Sequence, residues 1–385
     1  MLILSIKETE QILNSLTPSQ LRHKLHQNPE LAFIEFKTTE LIISGVKALP
    51  GSDKLIIHTP FPTGVLFEYK VNDDPFILFR ADIDALPIKE ENEIDFKSTN
   101  DFMHACGHDV HTSILYSFLE NVLRKKPNQN ILFLFQPAEE AGGGAMQFYK
   151  TGVFNQFNVK NAFALHVTDE YPFGTIASTK GVLFASALEI DIEFIGESSH
   201  VAFPEKGKNA FNAMRKFLDE NDELSKNYKD KLLFGIGKYV SGTVRNIAPG
   251  YAKLEGSIRG LSSELIDEYL SKLIAILKKL KTVTGVDYKI TKGAHYPEVI
   301  VDDKLFDHYS KELSKQYNFI DCGAKMTGED FGFFSQMFPS FMFWLGTSKG
   351  EQYSLHNPKF LPPDEAIEVG KSVFVEILNS VSKLL

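Results

Sequence analysis

Three short apolar runs, each ending in acid or imidazole, constrain this chain more than any other feature. Phe76–Ile83 closes on acids in Phe79-Arg80-Ala81-Asp82-Ile83-Asp84-Ala85-Leu86-Pro87, Ile131–Gln136 runs into Pro137-Ala138-Glu139-Glu140, and Ala162–Val167 carries His166. The runs are rich in Val, Ile, Leu and Phe and barely alternate, as strands buried on both faces do. In open α/β sheets, ligands gather beyond the carboxyl ends of such strands. A lone Glu-Glu pair is most often a solvated turn, and a lone His a surface or core residue. Three strands ending in the same way favour a shared polar site instead.

The surrounding pattern is strand–helix alternation. Thr17-Pro18 has the form of an N-cap followed by Pro at the first helical position, and Asn28-Pro29 stops that helix. A second helix is predicted over Glu35–Lys47, a further buried strand over Gly64–Val71 and a helix near His108–Lys125. The expected fold is α/β, a mostly parallel mixed sheet with helices on both faces. The middle of the chain differs. Leu188–Ile195 alternates apolar and polar, the mark of a strand with one wet face. A polar helix near Asn209–Ser225, strands near Leu232–Val240 and Lys253–Arg259, a helix starting at Ser262 or Ser263 and a strand at Asp287–Ile290 follow. That β-α-β-β-α-β order predicts an α+β ferredoxin-like unit inserted from roughly Phe184 to Thr291. Afterwards a buried strand is expected at Phe341–Leu345 and a last helix from Asp364.

Composition narrows the function. The 385 residues suggest two or three units. With 50 acidic and 41 basic residues the formal charge is −9, which argues against nucleic-acid or membrane-surface partners. Only two cysteines are present, Cys106 and Cys322, so a disulfide scaffold is excluded. The apolar run from Met1 is too short for a signal peptide, and no stretch approaches the ~18 apolar residues of a membrane span. Cytoplasm is the expected compartment. The 32 Phe are expected in the core, with Cys322 as a small packing residue.

The densest chemistry lies in His104-Ala105-Cys106-Gly107-His108-Asp109-Val110-His111. A thiolate and an imidazole two residues apart can reach one cation from a turn, and both suit borderline-soft metals such as Zn. Gly107 lets the backbone bend between them, and Asp109 is placed to orient a ligand imidazole. Of Glu139 and Glu140, one can bind metal while the other acts as a base. Gly142-Gly143-Gly144 reads as a turn and helix entry. His356 stands far along the chain in Ser354-Leu355-His356-Asn357-Pro358. Together these residues predict a metal site.

The chain resembles the amidohydrolase branch of the aminoacylase and carboxypeptidase-like metallopeptidases. The likeness runs through LRHKLHQNPELAFIEFKT, FRADIDALP, MHACGHDVH, LFQPAEE, ALHV, GESSHVAFP, VRNIAPGYAKLEGSIRG, TGEDFGFF and LHNPKF. LFQPAEE, HVAFP, MTGEDFGFF and FMFWLG together are most similar to deacetylases of an N-acetylated diamino acid. The resemblance implies a zinc-peptidase-like catalytic domain (1–183 and 292–385) and an inserted lid and dimerisation domain (184–291). It implies two divalent metal ions per subunit (Zn, Mn, Co or Ni), a small-molecule N-acyl amino acid substrate and a homodimer formed through the lid. Carried over by position, the metal ligands would be Cys106, His108, Glu140, His166 and His356, with Glu139 as general base. Asp82 would be the supporting acid, although the register could select Asp84. His200 would reach the site, either within its own subunit or across the dimer, to stabilise the oxyanion. Asn246 and Arg259 would bind a carboxylate, and Glu329 with Asp330 would sit close to the site and favour an amine or a ligand contact. Ser198 and Ser199 stand where relatives often carry two glycines, and Ala248 where Ile is common.

Three other readings compete. A metal-independent thiol hydrolase would use Cys106 as nucleophile. A non-catalytic binding homologue would keep the fold without the chemistry. A broader N-acyl amino acid amidohydrolase, of hippurate or aminoacylase type, would share the mechanism and differ in substrate.

Overall fold

The Thr17 cap forms as the sequence predicts. In the computed structural model, which describes residues 15–381, the Thr17 hydroxyl accepts from the Gln20 N–H at 3.2 Å and Gln20 Oε1 accepts from the Thr17 N–H at 2.9 Å. This reciprocal capping box opens α1 (Pro18–Gln27). The amino-terminal run from Met1 lies outside the described residues.

There follow α2 (Phe36–Lys47), β1 (Leu55–His58), β2 (Val65–Tyr69), β3 (Phe76–Asp82), α3 (His108–Lys125), β4 (Asn130–Gln136), α4 (Gly144–Lys150), β5 (Val159–Pro172) and β6 (Ile176–Ser178). These belong to a first unit that runs to Leu183. A second unit, Phe184–Val299 with Ala324–Gly332, contains β7 (Ser186–Ile195), α5 (Ala210–Ser225), β8 (Leu232–Ser241), β9 (Tyr251–Gly260), α6 (Ser263–Thr284) and β10 (Asp287–Tyr296). The chain returns to the first unit with α7 (Asp303–Leu313), β11 (Phe319–Asp321), β12 (Ser340–Ser348) and α8 (Glu365–Val381).

The first unit is built on an eight-stranded mixed sheet in the order β1-β2-β4-β3-β5-β12-β6-β11. Its centre, β4-β3-β5-β12, is parallel, while β1 and β2 run antiparallel at one side. Strands β2, β3 and β4 are buried along their whole length, which is why their sequences do not alternate. Strand β1, which the periodicity did not reveal, is a short edge with no fully buried residue. Register does the positioning. Asp82 is paired with Gln136 and Arg80 with Ala164, which brings Asp82 at the end of β3 and the Glu139-Glu140 turn to the level of His166. His166 itself does not end its strand, as expected from sequence, but sits inside β5 paired with Trp344 of β12. The phenylalanines fill the core below: the Phe79 ring lies 4.6 Å from Phe118, 5.1 Å from Phe374 and 5.2 Å from Phe163.

The second unit is an antiparallel sheet in the order β8-β9-β7-β10, the strand order of a ferredoxin-like unit. Leu188, Ile190, Ile192 and Phe194 alternate inward from β7 and share one core with Met214 and Phe217 of α5 and Leu270, Leu273 and Leu277 of α6. Among the described residues, no helix is long and apolar enough to cross a membrane.

Candidate metal centre

Helix α3 starts at His108 because Gly107 turns the chain into it with φ +84°, where a Cβ would run into Val167. That turn places Cys106 and His108 on either side of one glycine. Strand β5 brings His166, and the loop after β4 brings Glu139 and Glu140. At Ala138 that loop takes the left-handed conformation, φ 57°, and the Ala138 N–H donates to Glu35 Oε1 at 2.8 Å. Burial first, and the charge of Asp84 next, push the Glu35 carboxyl up to about 7.

The rings are aimed by what their other nitrogens do. His166 Nδ1–H donates to the Val167 carbonyl at 2.7 Å, which leaves the Nε2 lone pair 3.4 Å from Cys106 Sγ. His108 Nδ1–H donates to the Asp84 carbonyl (3.0 Å) and to Asp84 Oδ1 (3.2 Å), which leaves its Nε2 3.8 Å from Glu140 Oε1. His356 Nε2 stands 3.3 Å from the same oxygen. Donor atoms lie within 4.8 Å of one another in overlapping sets, among them Cys106, His108 and His166; Cys106, Glu140 and His356; His108, Glu139 and Glu140; and Asp82, His108 and His111.

The charges of this cluster ask for a cation. Burial foremost, then Glu140, Glu139 and Asp82, push the Cys106 thiol well above its ordinary range. Burial alone would strip the proton from His108, but Asp82, Asp84 and Glu140 outweigh it and raise the ring to about 10. Burial holds His166 well below its usual value, neutral and able to donate a lone pair. His108 Nε2 and Glu140 Oε1 are both buried without a hydrogen-bond partner. Sulfur, nitrogen and carboxylate oxygen converge on one buried place, where a divalent metal would displace the protons that Cys106 and His108 otherwise keep.

Of the residues predicted from sequence, Cys106, His108, Glu139, Glu140, His166 and His356 are brought together here. The geometry divides the two candidate supporting acids. Asp84 accepts from the His108 ring and, through Oδ2, from the Glu140 N–H at 2.9 Å. Asp82 accepts from His111 Nδ1 at 2.6 Å and from Arg80 Nη1 at 2.8 Å, and its Oδ2 stands 3.7 Å from His108 Nε2 without a hydrogen bond. Asp109 does not orient a ligand ring. Its carboxylate turns to α1 and accepts from His26 Nδ1 (2.8 Å) and Arg22 Nε (3.2 Å). His111, the last residue of the same His104–His111 motif, braces the site by accepting the Val167 N–H at its Nε2, 2.9 Å away.

His200, Asn246, Arg259 and Glu329 lie in the second unit. There His200 is paired with Ile247 on a two-residue ladder, and the Asn246 carbonyl accepts from the Val201 N–H at 3.2 Å. Ser199 and Ala248, two of the departures from relatives, are partners on that ladder. Arg259 is half-buried, donates to Ser257 Oγ at 3.0 Å and lies so close to Gly328 that a Cβ there would meet its guanidinium. Glu329, the next residue, is buried and accepts from the Phe331 N–H at 3.0 Å.

Comparison with known proteins adds to this picture. A family described as peptidase family M20/M25/M40 matches residues 78–380. A protein of Exiguobacterium sibiricum named N-acetyldiaminopimelate deacetylase is 37% identical over 353 residues, which span 90% of this chain and 95% of that protein. One of the same name from Anoxybacillus flavithermus is 37% identical over 356 residues, 91% of this chain and 93% of its own. The solved Bacillus subtilis YxeP protein, described as a dinuclear metal-binding peptidase of family M20, has a TM-score of 0.79 at 27% identity, covering 98% of this chain and 99% of that one.

Proposed function

Because the chain belongs to peptidase family M20/M25/M40, we propose that it hydrolyses the acetyl amide of N-acetyl-L,L-2,6-diaminopimelate to L,L-diaminopimelate and acetate, a step toward lysine. The observation that carries this reading is the convergence of five side chains able to hold metal beside one further carboxylate, Glu139. The name shared by relatives that match nearly end to end supports the choice of substrate.

Cys106, His108, Glu140, His166 and His356 would hold two divalent cations drawn from Zn, Mn, Co or Ni. When bound, such a pair supplies Lewis acidity at the amide carbonyl and makes water a nucleophile at neutral pH. Glu139 takes the proton from the attacking water and returns it to the amide nitrogen as the C–N bond breaks, a role worth about 10²–10⁴-fold. Asp84 accepts from His108 Nδ1–H and so turns Nε2 toward the cluster, where a bound cation would take the place of the proton that the metal-free ring keeps. Arg259, whose guanidinium fork suits a carboxylate, and Asn246 are assigned to one end of the substrate; Glu329 and Asp330 take the remote ammonium. His200 is assigned to the oxyanion. A homodimer through the second unit, a lid role for that unit and a cytoplasmic location belong to the same proposal.

The metal-independent thiol reading fares worse, since burial and three carboxylates keep the Cys106 thiol protonated unless a cation replaces the proton. The test is acetate or acyl release from N-acetyl-L,L-diaminopimelate, hippurate and an indole-acetyl amino acid, after chelation and stepwise return of Zn or Mn. Metal-dependent turnover strongly favouring the first substrate is expected. Equal rates on all three would refute the substrate assignment, and full activity after chelation would refute the metal reading.

A further inference from the structure

Unlike His108 on α3 and His166 on β5, His356 has no helix or strand to hold it. It sits in the irregular stretch 351–363 with half its side chain exposed, and both Ser354 (φ 58°) and His356 (φ 63°) adopt the left-handed conformation. Residues with a Cβ take up that conformation only where their surroundings over-determine it. Something must therefore hold the loop.

We infer that Asp169 is a positioning residue for His356, its buried carboxylate fixing the backbone that presents the ring. Asp169 lies on β5 three residues beyond His166, only 7% exposed. A single oxygen, Oδ2, accepts from the Tyr353 N–H at 2.5 Å and the Ser354 N–H at 3.1 Å. Bonds from N–H groups to a carboxylate are shorter and stronger than neutral ones. At the far end of the segment the His356 N–H donates to the Ala105 carbonyl at 3.0 Å, one residue before Cys106. The segment is thus clamped to β5 at one end and to the Cys106 turn at the other, and His356 Nε2 reaches Glu140 Oε1 from between the clamps. Strand β5 thereby serves two candidate ligands, His166 directly and His356 through Asp169. The inference rests on the reading of His356 as a metal ligand and is independent of the substrate.

The test follows Zn²⁺ binding by competition with a chromophoric chelator, together with amide hydrogen exchange of the metal-free protein. D169A is expected to speed exchange across 353–356 and to weaken one of two bound Zn²⁺ ions by about tenfold or more, the range in which support of a metal ligand acts. D169N keeps an oxygen able to accept both N–H groups and should retain most of the affinity. The double variant D169A/H356A should lose no more than H356A alone, because the two residues act through one contact. Where D169A does not fold, D169E, which keeps the charge but displaces the loop, should show the same loss at one site. Unchanged Zn²⁺ affinity in D169A, additive losses in the double variant, or unchanged affinity in H356A would each overturn the inference. A protein that shows this coupling yet leaves N-acetyl-L,L-diaminopimelate intact would refute the substrate assignment alone.

Discussion

The two sheets carry their charges in opposite ways. On the second unit's sheet every charge we name has a partner at the surface: Lys253 reaches Asp191 and Glu255 at 2.8 Å, Lys238 reaches Glu255 at 3.1 Å, and Lys289 reaches Glu193 at 3.2 Å. Such pairs are solvated, contribute little and point to no ligand. At the strand ends of the first unit, Asp82, Asp84 and Glu139 are buried and Glu140 nearly so, with Arg80 on Asp82 and His108 protonated by its surroundings. Buried charge is costly unless compensated, so acids collected in this way mark a place where a cation belongs. Acid content alone does not separate the two sheets; burial does.

Breaking that contrast begins with the largest effect. E139A should lower turnover by about 10²–10⁴-fold while metal content, read by elemental analysis, stays at the wild-type level. Loss of metal in E139A would move Glu139 among the ligands. The next effect is on stability. The folded protein keeps the Glu35 proton up to about pH 7, whereas a carboxyl of ordinary value gives it up near 4.5. The stability tied to Glu35 is therefore fully present below about pH 4.5 and lost as pH rises through 7, an effect of about 3 kcal/mol. Urea titrations between pH 4.5 and 7.5 should show this slope in the wild type and a flatter one in E35Q. D84N, which removes the charge that orients His108, should weaken metal binding by about 10–100-fold in a chelator competition. K253A on the second sheet is the opposite pole. Its thermal midpoint and its metal content should both match the wild type.

Much of the site was legible because its chemistry is local. Cys106 and His108 stand two apart, Glu139 and Glu140 are adjacent, and His166 interrupts an apolar run, so short motifs carried the donors. What escaped depends on register or on strained backbone. Which of Asp82 and Asp84 hydrogen-bonds His108 turns on how the chain leaves β3, and strand periodicity does not extend past the strand's last residue. The part of His111 is set by the Val167 N–H on a neighbouring strand, 56 positions away. Left-handed residues at Ala138, Ser354 and His356 carry no glycine to announce them. The brace from Asp169 is invisible for the same reason, because an Asp near the end of a strand reads as a solvated turn. The ferredoxin-like unit was legible through plain alternation, since its sheet has one wet face.

Anomalous X-ray diffraction from crystals grown with Zn²⁺ or Mn²⁺ tests the central claim most directly. Two peaks are expected, within bonding distance of donor atoms drawn from Cys106, His108, Glu140, His166 and His356, with the Glu139 carboxylate beside them and bound to neither. Anomalous density elsewhere, or none at these side chains with the metal in excess, would contradict the account.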